Sequence, residues 1–170
     1  MNYICNKIHE FLRYAMGEET HVETQPPQIP RFHYACFPIQ GSENLHMTIC
    51  AFGRVTSDEL KLRIEDLETT FRNCQSFSMQ IKGAEDFSAS MRVLKIDLPD
   101  DIYGKAKGYH DRWEPNSADT KWFPFNPHVN ITGYDENKCR LQVLSATIDK
   151  VDIFNAHGRA SAREVKFEGN

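Results

Sequence analysis

No run of apolar residues approaches the ~20 needed to cross a bilayer. The amino-terminal stretch also lacks the apolar core and small-residue cleavage site of a secretory signal. Neither a membrane span nor an export leader is therefore expected. Cysteine forms no framework either: Cys5, Cys36, Cys50, Cys74 and Cys139 are odd in number, scattered and without a CxxC pair. That argues against a zinc knuckle or a disulfide framework and for reduced thiols in a cytoplasmic compartment. Positive charge is in short supply, with 20 Lys and Arg against 24 Asp and Glu and a net charge of −4. A sequence-blind grip on long DNA or RNA is excluded as an expectation, while a small nucleotide or short oligonucleotide in a local basic pocket is not. Low-complexity sequence is absent.

What is present is enough for one domain. A chain of 170 residues can bury a sizeable core, and 40% hydrophobic with 26% charged residues is ordinary for a globular protein. Ile4, Ile8, Phe11, Leu12 and Met16 lie at helical spacing, predicting an amphipathic helix over 2–16. Gly17, Pro26, Pro27 and Pro30 then mark a linker, so residues 1–30 are expected as an appendage to a main domain over 31–170. Alternation predicts strands over 31–38, 45–52, 77–82 (stopped by Gly83), 93–98, 128–134, 146–154 and 163–167. Thr56 and Glu59 predict a capped helix burying Leu60, Ile64, Leu67 and Phe71. A second helix after Pro99 places Ile102, Ala106, Tyr109 and Trp113 on one face, despite Gly104 and Gly108. Strands outnumber helices, which favours an α+β protein with antiparallel pairing.

Within this order one pattern occurs twice. His46-Met47-Thr48-Ile49 returns as His128-Val129-Asn130-Ile131, on two of the predicted strands. Alternation puts His46 and Thr48 on one face of their strand, and His128 and Asn130 on one face of theirs. Histidine gives or takes a proton near neutrality without special tuning. Two histidines facing one cleft can share the work at a phosphodiester, one removing the nucleophile's proton and the other protonating the leaving oxygen. Thr48 and Asn130 add donors for the non-bridging oxygens. For a lone histidine a structural role is the better reading, and His9, His21, His33 and His157 are left there. His110, following Tyr109 on the second helix, reads as a surface residue.

These motifs resemble those of the two-histidine phosphoesterases, the superfamily that includes the LigT-like RNA phosphodiesterases. The resemblance covers about residues 31–167. Phe32 to Pro38 is similar to the family's opening strand, His46-Met47-Thr48 with Phe52-Gly53 to its first motif, and Pro127-His128-Val129-Asn130 to its second. Asn130 stands where the family usually has threonine or serine, and Thr132, two residues on, is the nearest hydroxyl that could stand in for it. The resemblance implies a bilobal α+β fold with two antiparallel sheets facing a central cleft and helices outside. It also implies metal-independent cleavage in which His46, Thr48 and His128 are catalytic. Family members act on 2′,3′-cyclic phosphates, 2′,5′-linked oligonucleotides including oligoadenylates, or cyclic oligonucleotide signals. Several are viral or phage enzymes that destroy such signals.

Around the second motif, Lys121 is a candidate phosphate contact, and Trp122, Phe125 and Tyr134 are candidates for stacking on a base. Phe123 reads as core. Lys105, Lys107 and Arg112 read as a solvated helix face. Two other readings compete with a nucleotide phosphodiesterase. One is a nucleotide-binding module weakened at Asn130. The other is a metal site of His46, His128 and Cys50, since Cys50 lies four residues after His46 and alternation would keep it on the same face. No acidic residue or third histidine joins them at a recognisable spacing, so no metal or other cofactor is expected. The oligomeric state is not legible in the sequence.

Overall fold

Thr56 starts a helix in the way its sequence predicts. Its hydroxyl accepts from the Glu59 amide at 3.3 Å while the Glu59 carboxylate accepts from the Thr56 amide at 2.8 Å. This reciprocal cap satisfies two backbone donors that a helix start otherwise leaves unpaired. The computed structural model describes residues 31–42, 44–114, 124–155 and 160–168. The predicted helix over 2–16, its linker, and Lys121, Trp122 and Phe123 lie outside the described residues. The elements run β1 (Arg31–Pro38), β2 (His46–Val55), α1 (Ser57–Phe71), β3 (Phe77–Ser78), β4 (Gln80–Ser88) and β5 (Met91–Asp97). They continue with α2 (Asp100–Trp113), β6 (His128–Asn130), α3 (Glu136–Ser145), β7 (Thr147–Ile148), β8 (Lys150–Asn155) and β9 (Ala160–Lys166).

The strands form an antiparallel seven-stranded sheet in the order β4-β5-β6-β2-β1-β8-β9, and β3 pairs with β7 in a small second sheet. The protein is thus α+β, as expected. Its two lobes are the halves β4-β5-β6 and β2-β1-β8-β9, hydrogen-bonded to each other where β2 meets β6. Helices α1 and α2 cover one face. Tyr109 is fully buried between them and donates its hydroxyl to the Arg63 carbonyl at 2.9 Å. Beneath α1, Phe37, Phe71, Phe77 and Phe167 meet in edge and stacked contacts, so the small sheet and the large one share one aromatic core. Such ring pairs stabilise beyond their buried area. Among the described residues no helix is long and apolar enough to cross a membrane.

Several elements depart from the sequence expectation: β2 runs on past Gly53 to Val55, and the strands expected over 77–82 and 146–154 are each divided between the small and the large sheet. Three further departures have a physical reason. Gly83 was expected to stop a strand, but β4 continues to Ser88, with a register shift between Ile81 and Gly83. A glycine inside a strand absorbs a bulge at low steric cost. The second motif strand was expected to reach Tyr134 but ends at Asn130. There the Asn130 side chain accepts from the Thr132 amide at 2.9 Å, and Gly133 at φ +80° completes the turn. Helix α3 was not anticipated. Only Cys139 and Val143 are buried on it, while Leu141 and Leu144 face solvent, so its apolar residues do not trace one face.

The cap on α1 provides a direct check. Thr56→Ala should lower stability by about 1 kcal/mol, typical for loss of such a cap. Thermal or denaturant unfolding of the variant would show it, and an unchanged midpoint would mean that the helix start is held by other contacts.

Candidate active site

The site follows from one register. Met47 of β2 lies directly opposite Val129 of β6 in antiparallel pairing, and both are fully buried. One step outward in an antiparallel ladder puts His46 across from Asn130 and Thr48 across from His128. The two motifs therefore form four corners on one sheet face, with the histidines on a diagonal about 7–8 Å apart at their backbones.

Both imidazoles are aimed by main-chain atoms. His128 Nδ1 lies 2.7 Å from the carbonyl oxygen of Asn126, and His46 Nδ1 lies 3.2 Å from that of Asn44. A carbonyl only accepts, so each Nδ1 carries the hydrogen and the proton that the ring gains or loses sits on Nε2. Each ring also has an aromatic support. His46 stacks on Tyr34 at 5.1 Å between centroids, and Tyr34 stacks on Phe154. His128 lies 4.7 Å from Phe87 at the tip of the β4–β5 hairpin. The supporting carbonyl stands two residues before the histidine in both motifs, so the pattern is Asn-x-His-apolar-polar-Ile in each. Sequence reading reached back no further than Pro127 in the second motif and so missed this extension.

At Asn130 the side-chain oxygen is committed to the Thr132 amide, which leaves the amide nitrogen as the donor end. Thr132 does not replace it. The Thr132 hydroxyl accepts from the Arg92 amide at 3.0 Å, and its residue lies beyond the end of β6.

The β2–β6 pairing is confined to Met47 and Val129, and a cavity of about 750 Å³ lies beside it, lined by Thr48 of one strand and His128 of the other. That is within the range of pockets that take a nucleotide-sized molecule. Its walls include the edge of β2 from Thr48 to Ala51, the hairpin residues Phe87 and Met91, Phe125 and Asn126 ahead of β6, and His110 and Glu114 at the end of α2. Phe125 is thus among the residues lining this cavity. Tyr134 is half-exposed and is not among the residues lining this cavity. Lys121 and Trp122 lie outside the described residues.

Two expectations are corrected here. Cys50 does not share the face of His46. The β1–β2 register passes from Cys36↔Thr48 to Ala35↔Cys50, so Ile49 is an extra residue that reverses the alternation. Cys50 is consequently buried with the core cluster, and its thiol donates to the Glu114 carboxylate at 3.3 Å. Burial first, then the charge of Glu114 and that hydrogen bond, push the thiol's pKa up and hold it protonated. His110, expected at the surface, is largely enclosed. Its ring lies 5.4 Å from that of Phe125, and its Nε2 lies 3.7 Å from Glu114. Glu114 also accepts from the Ala51 amide at 3.3 Å, on the β2 edge that β6 leaves uncovered. No spacing in the sequence links Glu114 to the motifs.

In overall structure, E. coli LigT complexed with ATP matches with a TM-score of 0.57 at 13% identity, covering 82% of this chain and 98% of LigT. A protein described as a phosphoesterase matches at TM-score 0.54 and 14% identity, covering 81% of this chain and 99% of the other. TT0787 of Thermus thermophilus matches at 0.52 and 10%, covering 82% and 99%. The chain has the LigT fold. No family model and no curated protein matches it in sequence. LigT itself has also been crystallised with phosphate and with 3′-AMP.

Within this LigT-like frame the sheet face carrying the four corners continues into a strip of polar residues, buried on the β1–β8 side at Cys36 and Asp152. Cys36 pairs with Thr48 on one side and Asp152 on the other. Lys95 lies directly across β5 from His128 and is ion-paired to Glu85 at 3.1 Å. Asp152 is buried and accepts from the Ser161 hydroxyl. Burial raises its pKa, opposed by that hydrogen bond and by the charge of Lys150. An acid whose folded pKa is raised contributes stability below its unfolded pKa that is lost as pH rises through the folded value. Asp152→Asn, which keeps the acceptor, should therefore melt at a higher temperature than the parent at pH 7. The gap should close as the pH falls toward about 4, the ordinary aspartate range. A gap independent of pH in a series of melts would contradict this account.

Proposed function

We propose that the protein is a metal-independent phosphodiesterase of the two-histidine type. It would cleave a 2′,5′-linked or cyclic nucleotide phosphodiester in the cytoplasm, with residues 31–170 as the catalytic domain. The observation that carries this reading is the cross-strand square of His46, Thr48, His128 and Asn130, with both Nδ1 atoms pinned by carbonyls. One Nε2 takes the proton from the attacking oxygen, which is a neighbouring ribose hydroxyl or water. As the new P–O bond forms and the old one breaks, the other Nε2–H protonates the departing oxygen. Thr48 and the Asn130 amide nitrogen donate to the non-bridging oxygens, where charge gathers. The adjoining cavity would hold the flanking nucleoside. The LigT complexes with ATP and 3′-AMP support a nucleotide ligand of this size. Removal of a nucleotide signal is the cellular role that such chemistry suits.

Purified protein should be screened against 2′,3′-cyclic phosphates, 2′,5′-linked oligoadenylates and cyclic oligonucleotides, with products resolved by mass. We expect cleavage in one class, unaffected by chelator. His46→Ala and His128→Ala should each lower kcat by at least 10²–10⁴-fold, the scale of general acid–base catalysis, with ligand binding retained. Binding without cleavage by the unmutated protein would instead identify a module that has lost turnover.

Asn130 tests the square from its other corner. Asn130→Asp removes the donor and sets a negative charge beside the phosphate, so kcat should fall by roughly 10²-fold or more. Asn130→Thr should retain turnover. Equal activity of the aspartate variant would remove Asn130 from the site.

A further inference from the structure

Glu114 is the one carboxylate among the described residues lining the cavity. Its Oε2 is already filled by the Ala51 amide and the Cys50 thiol, both at 3.3 Å. No hydrogen bond to Oε1 comes from a described residue, and the side chain remains one-fifth exposed. The backbone amide and the thiol hold the carboxylate in place, and Phe125, whose ring lies 5.4 Å from that of His110, brings apolar surface to this part of a cavity that Phe87 and Met91 also line.

We propose that Glu114 reads the nucleobase, selecting a base whose edge carries an exocyclic amino group over one with a carbonyl in that place. This deepens the nucleotide reading above and rests on it. An amino group donates to Oε1 in a charge-assisted hydrogen bond. A carbonyl at the same position sets two acceptors against each other and leaves both unpaired away from water. With Oε2 occupied, the carboxylate has one oxygen to offer, which matches the single amino group of adenine. Glu114→Gln then has a defined consequence. The Ala51 amide and Cys50 thiol claim the new side-chain oxygen, so the new NH₂ group takes the place of Oε1 and favours a carbonyl.

The test uses equilibrium binding of 3′-AMP and 3′-IMP to the full chain by calorimetry. These ligands differ in whether the six position of the base bears an amino group or a carbonyl. The unmutated protein should prefer 3′-AMP by about tenfold or more, the scale of one charge-assisted hydrogen bond. Glu114→Gln should abolish or invert that preference. A variant that is merely damaged would weaken both ligands alike and leave the ratio unchanged, which would overturn the assignment. Equal binding of the two by the unmutated protein also overturns it, while cleavage of the substrate panel would still stand. If neither nucleotide binds, base reading by Glu114 fails, and the panel reports separately on the phosphodiesterase.

Discussion

Everything in the candidate site depends on one cross-strand pair, Met47 against Val129. Both side chains are buried in the core on the helix-covered side. A slip of one residue would carry the apolar partners to the cleft and the histidines into the core, so the hydrophobic core enforces the register. The same burial that stabilises the sheet thereby sets the spacing of the two histidines. Stability and the proposed chemistry share one constraint.

The ladder's limits are as important as its register. Pro127, immediately before His128, has no amide hydrogen, and Asn130 turns the chain with its own side chain. Strand β6 is therefore three residues long, and the β2 edge beyond Thr48 is left uncovered. Glu114 takes the Ala51 amide there. The cavity is thus a direct product of a strand too short to cover its neighbour. The bulge at Ile49 acts at the same point, sending Cys50 into the core just where the cleft begins.

Much of this was legible from residue order. Alternation placed His46 with Thr48 and His128 with Asn130, and the capping pair at Thr56 located α1. What escaped reading was whatever depends on a partner strand. A bulge is a mismatch between two strands, so Ile49 carries no mark of it and Cys50 was assigned to the wrong face. Glu114 and His110 enter the cavity only because α2 packs on β2, a contact between segments far apart in sequence. Helix α3 was missed because a helix that buries so narrow a face leaves little periodicity to find. The carbonyl supports at Asn44 and Asn126 were overlooked because main-chain atoms have no letter in the sequence.

That last feature bears on how the fold persists through divergence. The imidazoles are oriented by peptide oxygens, which every residue type supplies, and spaced by a ladder that any suitable pair of apolar residues can maintain. Few positions then need a particular amino acid, and most of the chain can be rewritten while the geometry stays put. Such an architecture erodes as text long before it erodes as shape. The matches to LigT-like structures at 10–14% identity show the same fold carried by very different text.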